Sequence, residues 1–521
     1  MTPQARQRLL ILSFTIAVLL MAISSAWIGI QVQAFREFQM DRDESVHANR
    51  GLDIVSAVNR GSLSDLWAET IKPDWYPPFY GYLLGAWFGL VGPSVTTARL
   101  FATLCYFLFG LVLWLSAKQA FPKINPILYL IPTLLLVSDD QHVVNAALSM
   151  LELTAILFAM ASIYFFVKSL DKPSWGNFFL TSVFAVLCFM TRYSHGLFLL
   201  ATLAICTLFF LTKQFKGRFW QLVATWLPAA IFFFAWLIIL GQWRWLKAYA
   251  DVQQQPTSIG LIDTYLYYPK QLFAESSGWL PILLIAIAVV FWIRRRTIPQ
   301  STIPYIVFFI VSLAGLSFRA HNIARFGMVL FPPLWIIATD GAEDLLSLIK
   351  KPKLQTVTAV GLMVVLVLLA LKNNYTLPAR LNFAYENTNT AVNDAYQFIA
   401  DTLHTSDRKD LNLVMYGEID NWNAFALHFF LQSQCMLRQA DCQILVTDES
   451  VITKGWPREE LPDEVIEQRT QQALDAADYI VLFTKEPVIP DGWAEIVAKE
   501  FEFERYRVNP TRRQVVILER K

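Results

Sequence analysis

Asp43 and Glu44 stand side by side just beyond the first membrane-length apolar run of the chain. A fixed carboxylate within hydrogen-bond reach can take the proton of a hydroxyl group as that hydroxyl attacks. His47 and Arg50 follow at helical spacing, so a helix starting near Asp43 carries Asp43, His47 and Arg50 on one side. A base beside such cations stays ionised at neutral pH. The same residues also suit a helix N-terminus, where Asp43, Glu44 and Ser45 complement the dipole and cap the first turn, and the two readings are compatible. Asp41 and Asp43 form a D-x-D spacing that could ligate a hard cation.

Whatever positions this pair is embedded in lipid. Of 521 residues, 55% are hydrophobic and 16% charged, too apolar a balance for a soluble chain of this size. Residues 380–521 hold 24 acidic against 15 basic residues, whereas residues 1–379 hold 18 against 28. A hydrocarbon-embedded part with basic loops is therefore followed by an acidic, water-soluble tail. Apolar runs near 9–30, 97–117, 124–138, 142–167, 176–191, 197–212, 219–241, 278–293, 302–318, 326–340 and 355–371 predict about 11 spans.

Arg6/Arg8, Lys118/Lys123, Lys168/Lys172, Lys213/Lys216/Arg218, Arg294 to Arg296 and Lys350/Lys351/Lys353 fall at every second connection. The positive-inside rule then puts the N-terminus in the cytoplasm and the tail outside. Counting Pro78 to Pro93 as a further span would invert every later loop, so this run reads as a re-entrant or interfacial helix, with Tyr80, Tyr82 and Trp87 at headgroup level. The first 30 residues read as a retained anchor rather than a signal peptide, since their apolar stretch exceeds an h-region.

That topology gathers the chemistry-capable side chains at the external face. The first external loop, about 31–96, holds the Asp43 region and Asp74; the next holds Asp139, Asp140 and His142; another holds Arg192, Tyr193 and His195; the last holds Arg319, His321 and Arg325. Glu152 lies in an apolar segment, where a carboxylate marks a functional site or a paired structural ion. Arg319 and Arg325 also suit headgroup anchors. His195 and His321 read as interfacial hydrogen-bonding residues rather than metal ligands, because no Cys or carboxylate completes a ligand spacing.

The order of features resembles the GT-C superfamily of polyprenyl-phosphate-sugar glycosyltransferases, of the protein O-mannosyltransferase and lipid A aminoarabinose transferase types. The resemblance rests on the external Asp-Glu pair, then Trp75-Tyr76-Pro77-Pro78-Phe79-Tyr80 leading to Trp87-Phe88-Gly89-Leu90-Val91-Gly92, then Ala98-Arg99-Leu100. Ser149 to Thr154, Met190-Thr191-Arg192-Tyr193, and Ala324-Arg325-Phe326 ahead of Phe331-Pro332-Pro333 continue it, over about residues 9–345.

The resemblance implies sugar transfer from a polyprenyl-phosphate carrier to a hydroxyl acceptor at the outer membrane face, in one inverting displacement. Asp43 would be the general base and Glu44 would orient acceptor or donor. Arg325 and Arg192 would neutralise the departing lipid phosphate, which could make a metal dispensable. His47, Tyr76, Glu152, Tyr193, His195, Arg319 and His321 are further substrate-contact candidates. The chain departs from the family pattern twice. Tyr76 stands before Pro77 where a His or Lys is usual, leaving Lys72 as a substitute phosphate ligand, and Glu152 stands where Asp is usual. No cofactor is implied beyond a divalent cation at the D-x-D spacing.

The tail, about 372–521, alternates helical and extended patterns: Val392 to Leu403, Trp422 to Leu431 and Glu464 to Ala476 helical; Leu411 to Tyr416, Cys442 to Thr447, Tyr479 to Phe483, Phe501 to Arg507 and Gln514 to Leu518 extended. The whole chain thus reads as mostly α, a polytopic helical domain over 1–371 followed by a small α/β domain. The tail carries no phosphate loop, nucleophile elbow or metal-ligand cluster. Cys435 and Cys442, both in this external part, are expected to join as a disulfide, while Cys105, Cys188 and Cys206 fall within spans. A secondary transporter or a non-catalytic membrane scaffold would share the span count, yet no repeated halves are visible. The acidity of the soluble part argues against nucleic-acid binding.

Overall fold

The structure, a computed structural model, describes residues 2–36, 40–72, 76–211, 214–244, 246–247, 266–270, 279–317, 323–385, 390–404, 410–416, 424–437, 443–448, 462–484, 489–505 and 508–521. Asp74, Arg319, His321 and Cys442, named above, lie outside the described residues. The chain forms two compact units that interleave in sequence. One comprises Met1–Ile30, Pro73–Phe79 and Ala102–Pro378; the other comprises Gln31–Lys72, Tyr80–Phe101 and Ala379–Lys521.

Long apolar helices dominate, as the composition requires: α1 (Pro3–Ala34), α2 (Arg42–Asn59), α3 (Leu63–Ile71), α4 (Phe79–Val91), α5 (Val95–Ala120), α6 (Ile131–Ser138) and α7 (Asp140–Asn145) come first. Then follow α8 (Glu152–Asp171), α9 (Trp175–Thr191), α10 (Tyr193–Phe210), α11 (Phe219–Phe233), α12 (Trp279–Arg295), α13 (Ile303–Ser317), α14 (Phe331–Ser347) and α15 (Pro352–Tyr385). Among the described residues, 7 helical stretches are long and apolar enough to cross a membrane, and shorter apolar helices cover Phe79–Val91, Pro126–Ser138 and Trp175–Thr191. Every one of the expected runs holds a helix, and the protein is an integral membrane protein. At 13 residues, α4 is too short to cross a hydrocarbon core, in keeping with its exclusion from the span count.

The expected span over 142–167 is not one helix. Asp139, in extended backbone, accepts the His142 N–H at 3.0 Å and caps the short α7. Residues 146–149 then form turns, and an irregular link over 150–151 leads to α8, which starts at Glu152. Glu152 therefore stands in the first turn of its helix, where the dipole favours an anion, and not in mid-helix. A second break separates α9 from α10, where Arg192 adopts extended backbone and ends one helix and begins the next. A Cβ on Gly196 would lie 2.3 Å from the Phe189 Cα, so only glycine lets the two helices pack back on each other at this corner.

In the other unit, α16 (Thr390–Thr402), α17 (Ala424–Met436) and α18 (Asp463–Ala476) accompany β1 (Asp410–Tyr416), β2 (Gln443–Asp448), β3 (Tyr479–Thr484), β4 (Trp493–Arg505) and β5 (Val508–Arg520). The elements read from the tail are present among the described residues, except that β4 begins at Trp493, well before the expected Phe501, and is described only as far as Arg505; β5 extends to both sides of the expected Gln514 to Leu518. The sheet order is β2-β1-β3-β5-β4, with β1 parallel to β2 and β3, and β5 antiparallel to β3 and β4. Strand alternation feeds two cores. Leu411, Leu413, Val481 and Phe483 pack with α16 and α17, whereas Val414, Ile480 and Leu482 face Ala473 and Leu474 of α18.

The loop helices belong to the same unit as this sheet. In place of the expected Asp43 cap, Asp41 caps α2: its side chain accepts the Glu44 N–H at 2.7 Å, and Glu44 reaches back to the Asp41 N–H, completing a capping box. α2 and α4 cross so closely that a Cβ on Gly85 would lie 2.9 Å from the Gly51 carbonyl oxygen.

Candidate functional site

Capping fixes the first turn of α2 and so decides what each acidic neighbour can do. Asp43 is half-buried at that turn. Glu44, 1% exposed, turns the other way: its two carboxylate oxygens take Arg99 Nε at 3.1 Å and Arg99 Nη2 at 3.0 Å. Arg99 is fully buried near the start of α5, so this is a desolvated, two-pronged ion pair that also closes the capping box. Arg99 appeared in the sequence only as part of a motif. Its signal was a lone guanidinium inside an apolar run, which demands a partner.

One turn further, the ring of His47 meets the edge of Tyr80 at 5.7 Å between centroids, and Arg50 donates to the Thr70 carbonyl at 3.5 Å. Both side chains are buried, 5% and 7% exposed, on the same side of α2 as Asp43. Lys72, the substitute phosphate ligand of the sequence reading, has its ammonium between Asp53 at 3.2 Å and Glu69 at 3.1 Å. His428 of α17 approaches the other Asp53 oxygen at 3.9 Å. Burial pushes the Asp53 carboxyl up, but the neighbouring His428 ring and the Lys72 charge outweigh it and hold the group at about 2. Burial likewise pulls Lys72 down, and the charges of Asp53 and Glu69 more than offset this, raising it above its ordinary value.

The membrane unit holds a second cluster. Glu152 Oε1 meets Arg192 Nη1, and the same oxygen lies 3.2 Å from Arg325 Nε. Glu152 and Arg192 are each 2% exposed and the Arg325 side chain 19%. Phe326 lies beneath both guanidinium groups, 4.3 Å from Arg192 Cζ and 5.7 Å from Arg325 Cζ. Arg192 Nε donates to Ser194 Oγ at 3.4 Å, and Ser194 Oγ lies 3.3 Å from His195 Nδ1. Tyr193 accepts the Trp236 indole N–H at 3.3 Å.

The breaks in the helix pattern assemble this cluster. Glu152 opens α8, Arg192 occupies the α9–α10 corner, and Arg325 sits in the 3-10 turn Ala324–Leu330 before Pro332 and Pro333 start α14. Two guanidiniums against one carboxylate leave the three side chains with one net positive charge in an apolar surround. Such an arrangement suits a phosphate-sized anion. Tyr76 belongs to the same unit and is half-buried. Among the described residues, no three His, Cys, Asp or Glu side chains converge as a metal site, and the Asp41 carboxylate of the D-x-D spacing is engaged by the α2 cap.

Residues 76–243 match the model of the dolichyl-phosphate-mannose-protein mannosyltransferase family. Comparison with curated protein sequences finds no match. The fold resembles ArnT from Cupriavidus metallidurans in the apo state, with a TM-score of 0.57 and 14% identity over 96% of this chain and 97% of that one. The same protein bound to undecaprenyl phosphate gives 0.56 and 13%, again over 96% and 97%. The archaeal oligosaccharyltransferase AglB from Archaeoglobus fulgidus, in complex with an inhibitory peptide and a dolichol-phosphate, gives 0.55 and 10% over 89% of this chain and 69% of that one. The fold is that of the GT-C superfamily.

Proposed function

We propose that this GT-C-fold protein is an inverting glycosyltransferase that moves a sugar from a polyprenyl-phosphate carrier to a hydroxyl acceptor on the outer face of a bacterial inner or plasma membrane. The observation that carries the reading is the trio of buried Glu152 and Arg192 with partly exposed Arg325, whose net positive charge matches a phosphomonoester leaving group. The solved relatives add support, since ArnT was captured with undecaprenyl phosphate and AglB with a dolichol-phosphate.

In the proposed displacement the acceptor oxygen attacks the anomeric carbon while its proton passes to the Asp43 carboxylate. The bond from that carbon to the phosphate oxygen breaks, and its electron pair leaves with the lipid phosphate. Arg325 and Arg192 stabilise the charge that gathers there, an effect strengthened by a water-poor site. Glu152 keeps the two guanidiniums from repelling each other before the phosphate arrives. Glu44 serves the reaction through Arg99 and the α2 cap, fixing the turn that carries Asp43. His47, Tyr76, Tyr193 and His195 are assigned to sugar or acceptor contacts.

The reading also fixes orientation, with the N-terminus in the cytoplasm and the C-terminal α/β region outside, and it expects Cys435 to pair with Cys442 there. It needs only lipids, donor and acceptor as partners. The decisive experiment measures sugar transfer from polyprenyl-phosphate donors by the purified full chain in lipid nanodiscs, wild type against Asp43→Asn. Loss of transfer in the variant with donor binding retained supports the assignment; full activity in Asp43→Asn rejects it.

A further inference from the structure

Helix α17 of the C-terminal region runs along α2 in register. Asn49 Nδ2 donates to the Phe425 carbonyl at 2.8 Å, Asp53 meets His428, and Gln432 Nε2 donates to Ser56 Oγ at 3.4 Å. Ser56 Oγ lies 3.3 Å from the Met436 sulfur, so the α17 partners 425, 428, 432 and 436 step along one helical face. Gln432 is tied from behind as well: the Ile444 N–H, at the start of β2, donates to its Oε1 at 2.7 Å. Asn49, Ser56 and Gln432 are buried, 7%, 4% and 4% exposed, while the Asp53 and His428 side chains between them are 26% and 15% exposed.

At 3.6 residues per turn, Asn49, Asp53 and Ser56 lie roughly a third of a turn around α2 from the side bearing Asp43, His47 and Arg50. The helix therefore has one face given to chemistry-capable groups and another clamped to the sheet domain. Clamping a helix by polar pairs fixes its rotation and its axial position at once, because each bond is directional. Apolar packing alone leaves a helix freer to turn.

We propose that α17 is a buttress for the catalytic loop, with Asn49 and Gln432 as positioning residues that set the rotation of α2 and hence where the Asp43 carboxylate points. The C-terminal sheet, through Ile444 and Gln432, is then part of the catalytic apparatus without contributing a group that touches substrate. The inference rests on Asp43 being the base.

The test uses the full chain in nanodiscs with Gln432→Met and Asn49→Leu, which stay close to the native side-chain size and remove the bonds. Amide exchange over residues 42–59 should accelerate at least about tenfold while β3 stays protected. The kcat for sugar transfer should fall about 10- to 100-fold with KM for the lipid-linked donor unchanged, since misplacing a base costs turnover rather than binding. Unchanged exchange in α2, equal loosening of α2 and β3, or an unchanged kcat beside faster exchange each overturns the buttress. If the wild type transfers no sugar, the enzymatic assignment fails by itself, and the exchange measurement alone then decides whether α17 holds α2.

Discussion

Both oxygens of Glu44 are engaged by Arg99, at 3.1 and 3.0 Å, while Asp43, its neighbour in sequence, stays half-buried at the start of the same helix. Adjacent carboxylates thus have separate work, one as a buried counter-ion and one as the proposed base. Glu44→Gln should cost about 3 to 5 kcal/mol of stability, because it removes the charge that faces the buried Arg99 guanidinium. Glu44→Gln combined with Arg99→Met should recover much of that loss. Thermal unfolding of both variants in detergent checks the pair; equal destabilisation by the single and the double change would contradict it.

Asp43→Asn should cost no more than about 1 to 2 kcal/mol of stability and lower kcat by about 100- to 10,000-fold. Side-by-side melting and transfer measurements separate the two effects. A melting temperature collapsing with activity would move Asp43 from chemistry to structure.

Glu152→Gln should destabilise the membrane unit by several kcal/mol, since it removes the negative charge that both Arg192 and Arg325 contact. Inorganic phosphate or a short polyprenyl phosphate should restore part of the melting temperature by supplying one. Arg325→Lys keeps the charge and loses the planar fork, so it should weaken transfer more than stability.

Asp53 gives a pH signature. Its carboxyl titrates near 3.8 when unfolded and is held at about 2 in the fold, so its stabilisation is fully present above the unfolded value and lost as pH falls through the folded one. The difference in melting temperature between wild type and Asp53→Asn should correspond to at most about 2 kcal/mol near neutrality and vanish towards pH 2. A difference that grows on acidification would reverse the sign and remove the Lys72–Asp53–His428 network as its cause.

Cys435 is disulfide-bonded, while Cys105, Cys188 and Cys206 are free thiols. Closing the short loop to Cys442 should add about 2 to 3 kcal/mol on a chain-entropy basis. Peptide mapping without reductant should recover the linked pair; two free thiols there would argue against an oxidising compartment for this region.

Periodicity revealed most of the helices and the strands of the tail, because hydrocarbon and water impose their patterns residue by residue, while the alternation of basic loops, not length, excluded Pro78 to Pro93 as a span. The Asp-Glu pair and the order of its companions were visible for the same local reason. Their pairings were not. Arg99 to Glu44 and Arg192 to Glu152 join residues 55 and 40 positions apart, and no local rule selects among the available partners.

The sequence by itself determined that the chain is membrane-embedded, which segments are helical, and that carboxylates and arginines cluster at the connections between them. Only the tertiary structure decided that Glu44 serves Arg99, that a broken fourth segment sets Glu152 at a helix start, and that the C-terminal sheet grips the helix carrying Asp43. Burying a charge requires a specific countercharge brought from far along the chain, and that choice belongs to packing rather than to spacing.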